Sequence, residues 1–130
     1  MKKRTLFATL IGIMVWCFSA TAQETSDPEI TFESVEYAFG EIKQGDKVNH
    51  TFEFENTGGS PLVISNVSTT CGCTVPQWPR EPIAPGQKGK IDVVFNSAGK
   101  LGRQNKVITI YANVEKGLAS IKLTGNVTKD

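Results

Sequence analysis

Two cysteines separated by a single glycine, Cys71-Gly72-Cys73, are the residues of this 130-residue chain whose type and spacing point most directly to chemistry. In an extended segment, side chains two apart share a face, and Gly72 lets the backbone bend between them. Three outcomes are open. The pair can close a disulfide; the α-carbons of an extended strand lie near the ~6.8 Å upper limit for bridging, so the bond needs the glycine bend and is open to reduction. It can present two thiolates to a soft ion such as Cu(I). Or it can pack as two small apolar side chains without chemistry. A closed zinc site asks for four ligands, and once the third cysteine, Cys17, is set aside with the N-terminal signal described below, the chain offers only these two thiols and its one histidine, His50.

His50 falls on the apolar side of an alternating run, between Val48 and Phe52. It is a candidate third metal ligand or a base that lowers a thiol pKa; the alternative is a core histidine satisfied by a backbone carbonyl. Trp78 and Arg80, in Pro76-Gln77-Trp78-Pro79-Arg80, could form a binding platform for a partner or a glycan, or the indole could cap the edge of a sheet. Lys100-Leu101-Gly102-Arg103 with Lys106 reads as a solvated basic turn. No nucleophile elbow, phosphate loop, dinucleotide turn or H-E-x-x-H zinc motif occurs, and the carboxylates are scattered along exposed strand positions such as Glu53 and Glu55. The catalytic residues expected are therefore none, and a non-enzymatic role is the expectation.

Lys2, Lys3 and Arg4 precede an apolar run from Leu6 to Phe18 that gives way to Ser19-Ala20-Thr21-Ala22, the layout of a secretory signal cut after Ala22. Its removal takes three of the 14 basic residues and none of the 13 acidic ones, leaving 108 residues with a net charge near −2. That charge disfavours nucleic acid, which asks for a basic face. Cys17 lies inside the signal, and Trp16 before it disfavours lipid modification, for which the processing peptidase needs a small side chain at that position. No other segment approaches the ~20 apolar residues that span a bilayer, so no stable membrane insertion is expected. The expected address is the periplasm or the medium, where an even pair of cysteines is readily oxidised.

These residues must be positioned by strands. Residues 23–29 read as a short flexible lead-in, and from Ile30 onward short Val-, Ile-, Phe- and Thr-rich segments alternate with Gly, Pro and Asn. Strands are expected at 30–32, 35–39, 48–55, from 61 towards 67 with the segment continuing through 69–75, and at 90–95, 106–112 and 119–127, with a turn over Gly40–Lys47 and a hairpin turn over Asn113–Gly117. The run 48–55 places Val48, His50, Phe52 and Phe54 on one face and Asn49, Thr51, Glu53 and Glu55 on the other. Pro76, Pro79, Pro82 and Pro85 recur every third residue, which suits an extended polyproline-type crossing loop. Pro85-Gly86 suits a type II turn. About seven strands over residues 30–130 predict one immunoglobulin-like β-sandwich. Its expected core is Phe52, Phe54, Leu62, Ile64, Ile91, Val93, Phe95, Ile108, Ile110, Ile121 and Leu123.

The segments Phe39–Ile42, His50–Asn56, Pro61–Ile64, Thr70-Cys71-Gly72-Cys73-Thr74 and Ile83-Ala84-Pro85-Gly86 together resemble domain-of-unknown-function family 1573. These are small secreted bacterial domains, similar to the immunoglobulin-like group that includes major sperm protein and pilus-chaperone domains. The resemblance implies a fold and a compartment; the family carries no activity to transfer to any residue here. Two functions remain as expectations. One is a non-enzymatic envelope module, without cofactor, that presents a sheet edge or the proline-rich loop to another cell-envelope protein. The other is a Cu(I)-binding or thiol redox protein built on Cys71 and Cys73; copper-delivery proteins of the respiratory oxidases also pair a Cys-x-Cys with an immunoglobulin-like sandwich.

Overall fold

The computed structural model describes residues 26–129 together with Gly12; the signal read over residues 1–22, Cys17 within it, and the start of the lead-in lie outside the described residues. The strands are β1 (Ile30–Phe32), β2 (Glu36–Lys43), β3 (Lys47–Asn56), β4 (Ile64–Thr69), β5 (Thr74–Gln77), β6 (Lys88–Asn96), β7 (Gly102–Ala112) and β8 (Leu118–Thr128). They form two four-stranded sheets, ordered β1-β3-β6-β5 and β2-β8-β7-β4. Neighbours pair antiparallel except β2 and β8, which run parallel.

The fold is the expected all-β immunoglobulin-like sandwich, with one strand more than the pattern suggests. The segment 61–75 is not one strand: β4 belongs to one sheet and β5 to the other, and the chain changes layer over residues 70–73. A run of Val, Thr and Cys carries no local mark of that crossing, because an extended backbone is needed on both sides of it.

In β3 the alternation is realised as read. Phe52 and Phe54 are buried, His50 is half-buried, and Asn49 and Thr51 face water. Every residue of the expected core is buried, joined by Val48, Val67, Ile83, Ala112 and Val127. Burial of one such side chain contributes about 1.5–3 kcal/mol, so this shared layer supplies the main drive to fold.

Four local expectations are corrected. Gly40 does not begin a turn; with φ +76° it sits in a bulge of β2, where the pairing with β8 slips between Ala38 and Gly40 and Phe39 turns inward. Pro76 is inside β5 rather than in a crossing loop, tolerated because β5 is a sheet edge and the missing N–H leaves no ladder bond unmade. Lys100 and Leu101 lie in the loop as expected, but Arg103 belongs to β7, which begins at Gly102 rather than Lys106, and Lys106 is half-buried with its Nζ 5.8 Å from the Phe95 ring centre, so only the first half of the basic cluster is a turn. Residues 26–29 are not free: Pro28 is buried, Ser60 Oγ donates to Ser26 O at 2.7 Å, and Glu29 N donates to Asn56 Oδ1 at 3.3 Å. The Pro85-Gly86 turn has the expected form, with Gly86 at φ +80° and Gln87 N donating to Ala84 O at 3.0 Å.

Candidate functional site

The Cys-Gly-Cys run occupies the corner where the chain passes between layers. Thr70 N donates to Val107 O at 3.2 Å, fastening the start of the corner to β7, and Asn96 N donates to Cys73 O at 2.9 Å, fastening its end to β6. Inside it, Cys71 O accepts from Thr69 Oγ1 at 2.8 Å and from Thr74 N at 3.3 Å. This turn brings the two α-carbons to 5.3 Å, closer than an extended strand allows, and the two sulfurs are joined as a disulfide. Both cysteines are half-buried. Cys73 also lines a shallow hollow of about 270 Å³, with Lys47, Gly72, Val75, Val94 and Asn96.

Thr74 is the residue that sequence reasoning passed over. It is 3% exposed, and its hydroxyl finds its partners in the two sulfurs, 4.0 Å from Cys71 Sγ and 3.9 Å from Cys73 Sγ. Its place directly after the Cys-Gly-Cys run was visible; its burial follows from β5 turning inward at that position.

A bridge over three residues constrains the unfolded chain weakly. The loop-entropy relation gives about 1.6 kcal/mol for so short a ring, against about 3 kcal/mol for a 15-residue loop. Replacing both cysteines by serine is therefore expected to lower the unfolding free energy by only about 1–2 kcal/mol, with a single cooperative transition retained in a urea titration.

His50 does not join this site. Its ring stacks on Tyr37 of β2 at 3.8 Å and 6° and meets Phe52 edge-on at 4.6 Å. In register it opposes Val93, whereas Cys73 is level with Asn96, three positions further along β6 and about 10 Å away along the sheet. Among the described residues no group of three or more His, Cys, Asp or Glu side chains is gathered closely enough to hold a metal ion. Among the described residues the donor set at this corner stops at the two sulfurs, which falls short of the four ligands of a closed zinc site.

Burial holds the His50 imidazole below its ordinary pKa of 6.5. The unfolded chain consequently binds this proton more readily than the folded one. Stability is complete above pH 6.5 and declines as the pH falls through 6.5 towards the lower folded value. Thermal unfolding measured from pH 8 to pH 5 is expected to show that decline, and His50→Phe is expected to flatten it.

Trp78 packs half-buried against the core, and the Arg80 guanidinium lies 3.8 Å from its ring centre. One face of the indole is thus covered by Arg80, an arrangement worth about 0.5–1 kcal/mol where exposed. Its Nε1 is buried without a hydrogen-bond partner among the described residues. Sequence reasoning brought Trp78 and Arg80 together correctly; the half-burial of the ring depends on the layer beneath it.

The sheet edges differ in how they are protected. β1 has three residues, β5 contains Pro76, and β2 carries Glu36, Glu41, Lys43 and the Gly40 bulge, all devices that discourage pairing with another chain. β4 is the edge of its sheet with six residues and neither charge nor proline, though its register slips between Ile64 and Asn66. Because Thr70 N points to β7, alternation turns the backbone groups of Thr69 and Val67 towards the open side.

The family model described as a protein of unknown function (DUF1573) matches residues 30–127. A crystal structure of a protein of unknown function from Porphyromonas gingivalis is similar at 22% identity and TM-score 0.65, over 83% of this chain and 50% of that one. The chain therefore spans half the length of that protein. A human CEP192 ASH/PapD-like domain is similar at 11% identity and TM-score 0.64, over 80% of this chain and 88% of that one. The YadV chaperone is similar at 15% identity and TM-score 0.53, over 75% of this chain and 51% of that one. No curated protein matches. At these identities the likenesses establish the fold alone.

Proposed function

The chain belongs to the DUF1573 family of proteins of unknown function, and from that premise we propose that it is a non-enzymatic interaction module of the cell envelope. The observation that carries this reading is the open β4 edge, uncharged over Ile64–Thr69, in a sandwich whose other three edges are short, proline-bearing or charged. An unguarded edge offers backbone donors and acceptors to an incoming strand, and exposed Val63 and Tyr111 flank it with apolar area for alternate side chains. The partner is another envelope protein that adds an extended segment along β4. The signal read over residues 1–22 supplies the address, and the mass of the exported protein is expected to begin at Gln23.

A photoreactive side chain at Ser65, compared with one at Ser120 on the same sheet, tests the reading in envelope preparations of the native host. A saturable adduct of one mass at Ser65, absent at Ser120 and abolished by Asn66→Lys, is the expected result. Adducts that never saturate, or that survive the added edge charge, would overturn it.

A further inference from the structure

We propose that the Cys71–Cys73 disulfide is a thiol–disulfide exchange site that oxidises the paired thiols of a partner protein, with the buried Thr74 hydroxyl steadying the sulfur that leaves. The inference is independent of the β4 edge. Its first support is access from one side: Cys73 lines the hollow beside Val75 and Val94, cross-strand neighbours that form an apolar ledge on the outer face of the sheet. Val75 is 56% exposed. Lys47 at the rim places a cation where an approaching thiolate would pass. Cys71 does not line this hollow, so the sulfur open to attack is Cys73 Sγ and the departing one is Cys71 Sγ.

Thr74 is the second support. Its hydroxyl, already at hydrogen-bonding range of both sulfurs, donates to whichever carries the charge. The third is that the bridge is expendable: the corner is held independently by the Thr70–Val107 and Asn96–Cys73 backbone hydrogen bonds, so opening a three-residue ring leaves both sheets tied.

A thiolate of the partner attacks Cys73 Sγ; a partner–Cys73 bond forms, the Cys71–Cys73 bond breaks, and its electron pair leaves on Cys71, which takes a proton. The partner's second thiolate then attacks the partner sulfur in the mixed disulfide, and Cys73 leaves as a thiolate and is protonated in turn. The partner departs as a disulfide and the domain as a dithiol, two electrons and two protons having passed from partner to domain.

The test uses the purified oxidised protein, with reduced glutathione and a bis-cysteine peptide as the thiol probes. Opening of the bridge at millimolar glutathione and stoichiometric oxidation of the peptide are expected; a bridge that stays closed to both would overturn the proposal. Loss of one hydrogen bond to a departing thiolate corresponds to about a tenfold slower exchange in Thr74→Val, recovered in Thr74→Ser. Unchanged exchange in Thr74→Val, or a slow rate persisting in Thr74→Ser, would remove the role given to the hydroxyl. An independent arm compares alkylation of the single free thiol in Cys71→Ser and Cys73→Ser. Faster alkylation of Cys73 than of Cys71 supports attack from the hollow, and equal or reversed rates overturn it.

Discussion

Replacing Asn56 with alanine is expected to destabilise the domain by about 3–5 kcal/mol, a large share of the 5–15 kcal/mol typical of a single domain. Asn56 ends β3 fully buried, and its amide uses every hydrogen-bonding position it has. Nδ2 donates to Ser60 O at 2.8 Å and to Ile83 O at 2.9 Å, while Oδ1 accepts from Gly58 N at 3.0 Å and Glu29 N at 3.3 Å. One side chain therefore ties the entry to β1, the 57–60 loop and the approach to β6 to the end of β3. Alanine would strand Ser60 O and the two N–H groups in or near the interior, leave Ile83 O with Leu62 N as its remaining donor, and open a cavity besides. Urea unfolding of Asn56→Ala measures the loss; a change under about 1 kcal/mol would show that water replaces the amide without cost.

Asn56→Asp separates hydrogen bonding from shape. The carboxylate keeps both acceptor positions but turns an oxygen towards Ser60 O and Ile83 O. Burial among carbonyls raises the folded-state pKa of the new acid above its unfolded value. Stability is then greatest below the unfolded pKa and is lost as the pH rises through the folded one, so the variant should be more stable at pH 4 than at pH 7. Parallel pH profiles for the aspartate variant and the parent would refute this account.

The residues that shaped the fold were legible where a pattern is local. The alternation from Val48 to Glu55 sets which face of β3 is buried, and its register against β6 follows from burying that same face. Pro85-Gly86 announces its turn by residue type alone. The corner at Cys71–Cys73 was legible as chemistry but not as geometry, because crossing from one sheet to the other is decided by which strands find β6 and β7. Thr74 and Asn56 were invisible as functional or structural anchors for a related reason. A threonine and an asparagine are ordinary residues for a strand and a loop entry, and only the layer packed over them makes their polar groups costly to leave unpaired. His50 was placed on the correct face, but its distance from the sulfurs depends on strand register, which no spacing in the sequence states.

Gly89→Ala is expected to cost about 2–3 kcal/mol, from a single added methyl group. Gly89 opposes Phe54 across the β3–β6 ladder, and the Phe54 ring lies over its α-carbon. A β-carbon there would meet Phe54 Cε2 at 2.9 Å and Cε1 at 3.0 Å, with Cζ closer still. The ring has little room to yield, being 1% exposed and packed against Phe32 with ring centres 5.6 Å apart. Alanine's advantage in the unfolded state, below about 1 kcal/mol, does not offset such a clash. If the ring is the cause, Phe54→Leu should absorb much of the penalty, giving a coupling of about 1 kcal/mol or more in a double-mutant cycle; simple additivity would place the strain elsewhere. The opposite sheet supplies the control. Gly125 of β8 is covered in the same way by Phe39, but that ring is only half-buried at the β2 bulge and can swing outward. Gly125→Ala should therefore cost less than Gly89→Ala, although its β-carbon would approach the ring at least as closely, because the penalty follows the freedom of the neighbour to move.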